Sequence, residues 1–184
     1  MTTRDLGLVA LMAAVIVALG AVPAIPLAAG VPITLQSMGV MLAALILGPR
    51  RAAAAVSVVI ALVALGLPVL AGGRGGLAVF AGPTAGFLFG WVPAAFVTGF
   101  LAMVLEATEK STLVRTAQLT LAAIVGGIVV LYVCGIPWLA FVVEIGLAKA
   151  FMASLPFVPG DLAKAIVAAV VTVKVRQAVA IERK

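Results

Sequence analysis

Asp161 and Lys164 lie in LPFVPGDLAKA (residues 155–165), at the head of the apolar run IVAAVVTV. An acid and a base three residues apart share one face of a helix. The carboxylate can accept N–H bonds from a ligand, and the ammonium can hold a carboxylate or carbonyl oxygen. Together they suit a small molecule carrying both N–H donors and an anionic group. Ionisable groups within an apolar span are costly and usually face a cavity or a partner. Two plainer roles compete. Asp161 follows Pro159-Gly160 and could cap the helix N-terminus. Lys164 could stretch its stem so that the ammonium reaches water.

Other polar residues fall in short, distinctive stretches. Arg74 sits in AGGRGG (71–76), where glycines free the backbone and a guanidinium could reach a ligand carboxylate; a solvated charge on a turn is the alternative. The stretch lacks the GxxxxGK[ST] pattern of a phosphate loop. Thr34 and Gln36 in VPITLQ (31–36) and Thr84 in GPTAGF (82–87) are uncharged hydrogen-bonding groups that serve either a ligand or a helix end. Phe80 and Trp138 are either ligand contacts or interface anchors. Gly82, Gly86 and Gly90 recur every four residues, which favours close helix packing, as do Ala10, Ala14 and Ala18, which also form a candidate partner-contact stripe. Glu144 and Lys149 read as surface residues, and the one cysteine, Cys134, as packing.

The elements that must position these residues are membrane helices. Hydrophobic residues make up 65% of the 184-residue chain and charged residues 10%, against about 45–50% and about 25% in soluble domains. The net charge of +6 is scattered beside apolar runs, which argues against nucleic acid. The absence of histidine excludes Ser-His-Asp chemistry and His-based metal sites. With no close carboxylate pair at membrane depth, the reading is not an enzyme, and neither a cofactor nor a metal is expected. Six apolar segments are predicted as spans in one domain over 1–184: Leu6–Leu27, Thr34–Gly48, Ala52–Leu70, Thr84–Leu105, Thr116–Ile136 and Asp161–Val175. Residues 137–156 are expected to form an interfacial helix and turn. Arg4, Arg50, Arg51, Lys110, Arg115, Lys174, Arg176, Arg183 and Lys184 then share one side, against Arg74 and Lys149 on the other. The positive-inside rule makes both termini cytoplasmic. VPITLQ, AGGRGG and PFVPGD converge on the outer side.

The series VPITLQSMGVMLAALILGPR, GLPVLAGGRGGLAVFAGPTAGFLFG and LPFVPGDLAKA resembles the BioY family of biotin-specific substrate-capture (S) components of energy-coupling factor (ECF) transporters. The resemblance covers nearly the whole chain and is weakest over residues 100–150. It implies an all-α integral membrane fold of six transmembrane helices in a bacterial or archaeal cytoplasmic membrane. It implies a biotin site near the outer face, in which Asp161 and Lys164 match the family's polar pair, Thr84 its GPT stretch and Arg74 its glycine-rich loop. It implies a transmembrane coupling protein and a pair of ABC-type ATPases as partners, the stripe Ala10/Ala14/Ala18 facing the coupling protein, and residues 28–33 acting as a lid. Such a subunit could also work alone or as a homo-oligomer. The competing reading is a stand-alone secondary transporter for biotin or another small carboxylate. In that case Asp161 or Glu144 would carry protons, but no internal repeat supports it.

Overall fold

The computed structural model describes residues 1–24, 33–105 and 111–178. The proposed lid at 28–33 lies outside the described residues except for Ile33, as do Lys110, Arg183 and Lys184 from the charge comparison. The described residues form eight α-helices: α1 Thr3–Gly20, α2 Gln36–Leu47, α3 Pro49–Ala64, α4 Ala85–Leu105, α5 Thr112–Ile124, α6 Leu131–Val142, α7 Leu147–Ser154 and α8 Val158–Ala178. A π turn, Val125–Val130, joins α5 to α6, and a 3-10 turn, Leu155–Phe157, joins α7 to α8. Among the described residues, four stretches are long and apolar enough to cross a membrane: Thr3–Gly20, Ala85–Leu105, Thr112–Val142 and Leu147–Ala178.

The second and third predicted spans are shorter than expected. α2 has 12 residues and α3 has 16, or about 18 and 24 Å of helix at 1.5 Å per residue, against about 30 Å of hydrocarbon. α2 is apolar all round because nearly every position from Gln36 to Leu47 is buried among neighbours, and such a helix need not meet lipid. Gly48, at φ 80°, turns the chain in one residue, and Pro49 starts α3 at the position where its missing N–H costs nothing. α3 ends at Ala64 rather than near Leu70, because Gly66 (φ 92°) and Pro68 cannot continue it. The chain then winds through residues 65–84, with a 3-10 turn at Leu77–Ala81.

The interfacial segment expected at 137–156 is also revised. The fifth predicted span runs on, as α6, through Pro137 and Trp138 to Val142, and α7 runs into α8 through the 3-10 turn. A proline is tolerated inside a membrane helix where neighbouring helices and local backbone adjustments re-satisfy the freed groups. The chain reverses at Glu144, which takes φ 56°, and both Glu144 and Lys149 are exposed as expected.

Side-chain contacts sort the helix ends. At one end, Arg51 at the start of α3 pairs with Asp5 at the start of α1 at 2.8 Å, and Arg176 near the end of α8 donates to the Leu45 carbonyl near the end of α2. At the other end, Gln36 at the start of α2 bonds Val69 and Ala71 beyond α3, and the Trp138 indole of α6 donates to the Gly82 carbonyl ahead of α4 at 3.0 Å.

Glycines set the helix spacings. A Cβ on Gly86 would stand 2.2 Å from Trp138 Cβ, and one on Gly90 2.9 Å from Cys134 Cβ. The glycine repeat in α4 is therefore the seam against α6. Across the π turn, a Cβ on Gly126 would stand 2.1 Å from Thr98 Oγ1 and 2.7 Å from the Ala94 carbonyl. Gly126→Ala is accordingly expected to lower stability by about 1–3 kcal/mol, since backbone atoms would have to move. Gly7→Ala, with open space around it, should change stability by less than about 1 kcal/mol. Thermal unfolding of the two variants in detergent checks the difference.

Candidate ligand-binding site

α8 carries Asp161 and Lys164 on one face, and both are buried, at 6% and 7% exposure. Lys164 Nζ donates to Asp161 Oδ1 at 2.8 Å. The helix starts at Val158, so Asp161 lies one turn inside it and does not cap it. Its carboxylate still lies toward the N-terminal, positive end of the helix dipole. Lys164 does not stretch toward water either: its ammonium also donates to Ser37 Oγ of α2 at 3.1 Å. The second carboxylate oxygen, Oδ2, accepts the Tyr132 hydroxyl of α6 at 2.7 Å. Three helices thus contribute one chain of hydrogen bonds, Tyr132–Asp161–Lys164–Ser37, whose charge-assisted links are the strong kind.

This chain borders a cavity. Ile33, Thr34, Gln36, Leu70, Ala71, Arg74 and Thr84 line it, and Phe87, Leu88, Trp91, Leu131 and Phe157 supply aromatic and aliphatic wall. The composition is that of a small-molecule site, mostly apolar with a few placed polar groups. Phe87 packs edge-on against Tyr132, with ring centroids 6.1 Å apart. Phe87 can lie there because Gly135 has no side chain: a Cβ would meet the ring at 2.3 Å. Tyr132 also lines an apolar groove between α6 and α7 on the outside of the bundle, so this one ring belongs to both surfaces.

Arg74 reaches the cavity from a tight turn. Leu70 and Arg74 form an isolated antiparallel bridge, and Gly72 and Gly73 close it at φ 76° and 70°, values that glycine adopts without strain. Arg74 Nε donates to the Ala71 carbonyl at 3.2 Å, and one terminal nitrogen donates to Thr84 Oγ1 at 3.3 Å. The guanidinium is thus aimed along the cavity wall with donors to spare.

The predicted site residues therefore divide. Asp161, Lys164, Arg74, Thr34, Gln36 and Thr84 all reach the cavity wall. The Gln36 amide is engaged at both ends, donating to the Val69 carbonyl at 2.8 Å and accepting from the Ala71 N–H at 3.1 Å. Phe80 lies outside the cavity lining: its ring stacks on Phe89, which meets Trp138, which meets Phe141, at centroid distances of 5.6, 5.9 and 6.4 Å. That aromatic row ties the 3-10 turn to α4 and α6. Ala10, Ala14 and Ala18 are exposed on α1. Sequence reasoning missed Tyr132, Ser37, Trp91, Phe87 and Phe157. Tyr132 carried a usable signal, being the one tyrosine of the chain and placed within an apolar span. Ser37 directly follows Gln36 but is masked by the plainness of its type.

Known proteins share this architecture. A solved structure described as the S-component for biotin from an ECF-type ABC transporter is 34% identical, with a TM-score of 0.84, covering 96% of this chain and 95% of that one. The biotin transporter BioY of Rhizobium etli is 59% identical over 92% of this chain and 91% of its own length. The corresponding transporter of Rhodobacter capsulatus is 51% identical over 95% and 94%. The BioY family model matches residues 1–181. Matched almost from end to end in sequence and in fold, this chain belongs to the BioY family.

Proposed function

We propose that the chain captures biotin at the outer face of a cytoplasmic membrane and hands it inward as the S component of an ECF transporter. The observation that carries the reading is the buried Asp161–Lys164 pair at the cavity wall. A charged pair withdrawn from water is expensive to keep and gives little net stability, so a ligand role accounts for it better than a structural one. The names of the relatives supply the ligand.

Biotin fits the chemistry part by part. Its ureido ring offers two N–H donors and a strong carbonyl acceptor. Asp161 accepts from a ureido N–H, and Lys164 supports the polar ring or the tail. The thioether ring packs on the aromatic and aliphatic wall formed by Phe87, Trp91 and Leu131. The valerate carboxylate is neutralised by Arg74, with Thr84 holding the guanidinium in place. Burial of Asp161 and Lys164 strengthens the polar contacts that this pair makes.

In this reading six helical segments cross or enter the membrane, with α2 and α3 as a short internal hairpin and both termini cytoplasmic. Arg50, Arg51, Arg115, Lys174 and Arg176 then lie inside, and Arg74 and Lys149 outside, in keeping with the positive-inside rule. The chain has no phosphate-loop pattern, so ATP is hydrolysed by a pair of partner ATPases, acting through a transmembrane coupling protein. The exposed stripe Ala10/Ala14/Ala18 offers that protein a smooth, close-packing surface.

Calorimetry of the detergent-purified chain tests capture directly. One-to-one biotin binding without partners is expected. Asp161→Asn should weaken it on the order of 100-fold, because a charged acceptor is lost and Lys164 is left unpaired; Lys164→Ala should act in the same direction. Unchanged affinity in folded Asp161→Asn protein would remove the assigned role. Tyr132→Phe keeps the ring and deletes only the hydroxyl that Asp161 accepts. A smaller loss, about tenfold or less, is expected in the same titration.

A further inference from the structure

Gln36 is nearly inaccessible to solvent, at 2% exposure, and its amide makes two hydrogen bonds to the backbone of a segment more than thirty residues away. Those bonds bracket Leu70, where the Arg74 turn begins: Val69 accepts on one side and Ala71 donates on the other. The next residue along α2, Ser37, accepts from Lys164. The first turn of α2 therefore bonds both the turn that carries Arg74 and the acid–base pair, through the side chains of two consecutive residues. A third element keeps the amide in place. Gly20, the last residue of α1, lies so close that a Cβ there would stand 2.5 Å from Gln36 Nε2 and 3.0 Å from the Val69 carbonyl oxygen.

From this arrangement we infer that Gln36 is a positioning residue for carboxylate recognition: it fixes the turn that presents Arg74, at a set distance from the Asp161–Lys164 pair, and it does not itself bind ligand. One amide N–H and the amide oxygen are engaged by backbone, and at 2% exposure the rest of the amide is nearly closed off. Arg74 is otherwise held by the Ala71 carbonyl, which belongs to the same short turn, and by Thr84. Without the Gln36 clamp the turn keeps its internal bonds and the burial of Leu70 but loses the two hydrogen bonds that fix it to α2. The guanidinium would then sample positions short of the ligand's anionic end, while the acid–base pair, anchored to Tyr132 and Ser37, would stay in place. The effect of Gln36 should therefore be confined to ligands with a negative tail.

The inference rests on biotin being the ligand, and the test separates the two. Biotin and biotin methyl ester, which has the same rings and a neutral tail, are titrated into the native chain, Gln36→Leu, Arg74→Ala, the double variant and Asp161→Asn. Gln36→Leu is expected to weaken biotin binding about tenfold and to leave the ester nearly unchanged. The loss should be largely absent when Arg74 is already alanine, the non-additivity expected of residues acting through one contact. Asp161→Asn should weaken both ligands. Gly20→Ala disturbs the clamp by crowding the amide rather than deleting it. It should give the same biotin-selective loss, which keeps the test decisive should Gln36→Leu fail to fold. Equal losses for biotin and ester, or additive losses with Arg74→Ala, would overturn the positioning role. No biotin binding by the folded native chain would instead overturn the ligand assignment.

Discussion

The organisation of this protein depends on the cost of keeping one acid and one base away from water inside an otherwise apolar bundle. Asp161 and Lys164 are buried and 2.8 Å apart. Mutual attraction alone rarely repays the desolvation of such a pair; additional hydrogen bonds must saturate it. Tyr132 and Ser37 provide them from α6 and α2. That requirement fixes where α6 and α2 stand relative to α8. It also explains why small residues gather in the helices around the site. Gly135 admits the Phe87 ring that braces Tyr132, and Gly127 faces Met41 of α2 with room for no side chain.

The remaining polar structure is arranged on the same logic at the two helix ends. At the end away from the cavity, Asp5 and Arg51 pair at low exposure, and the Thr2–Asp5 capping box fixes the carboxylate at the start of α1. At the cavity end, the irregular backbone of residues 65–84 is held by its own turn, by the Gln36 amide and by the Trp138 indole. The irregular segment is tolerable because side chains from regular elements reach out to hold it.

Much of this was legible in the sequence, and the reasons for success and failure differ by residue. The shared face of Asp161 and Lys164 follows from helical spacing alone, and the cost of burial says they must have partners. Which partners they have does not follow, because Tyr132 and Ser37 are 29 and 127 residues away from the side chains they meet. Arg74 was readable as a turn residue from its glycines. Gln36 was readable as a polar residue near a helix start but not as a clamp, since its two bonds depend on how α2 lies against the end of α3. Phe80 was drawn toward the site by its sequence neighbours; the geometry of the 3-10 turn instead sends its ring to Phe89. The lengths of α2 and α3 were overestimated because hydropathy reports an apolar setting and cannot distinguish lipid from protein as its source. The span expected to end at Ile136 runs on through Pro137 to Val142, since a proline is tolerated inside a membrane helix where neighbours and local backbone adjustments re-satisfy the freed groups.

The scattering of the site along the chain has a consequence for synthesis. Ser37, Arg74, Tyr132 and the Asp161–Lys164 pair emerge from the ribosome in that order, and the charges that complete the network lie on α8, the final described helix. Until α8 docks, Ser37 and Tyr132 lack the ionic partners that later bind them. An unfinished or truncated chain therefore contains a mostly apolar bundle without its polar centre, and α8 cannot settle in a purely apolar surrounding without that docking. Insertion of the last helix and completion of the binding site are in this way a single event. Before that docking, Asp161 and Lys164 can pair only with each other, without the Tyr132 and Ser37 bonds that saturate them in the finished fold.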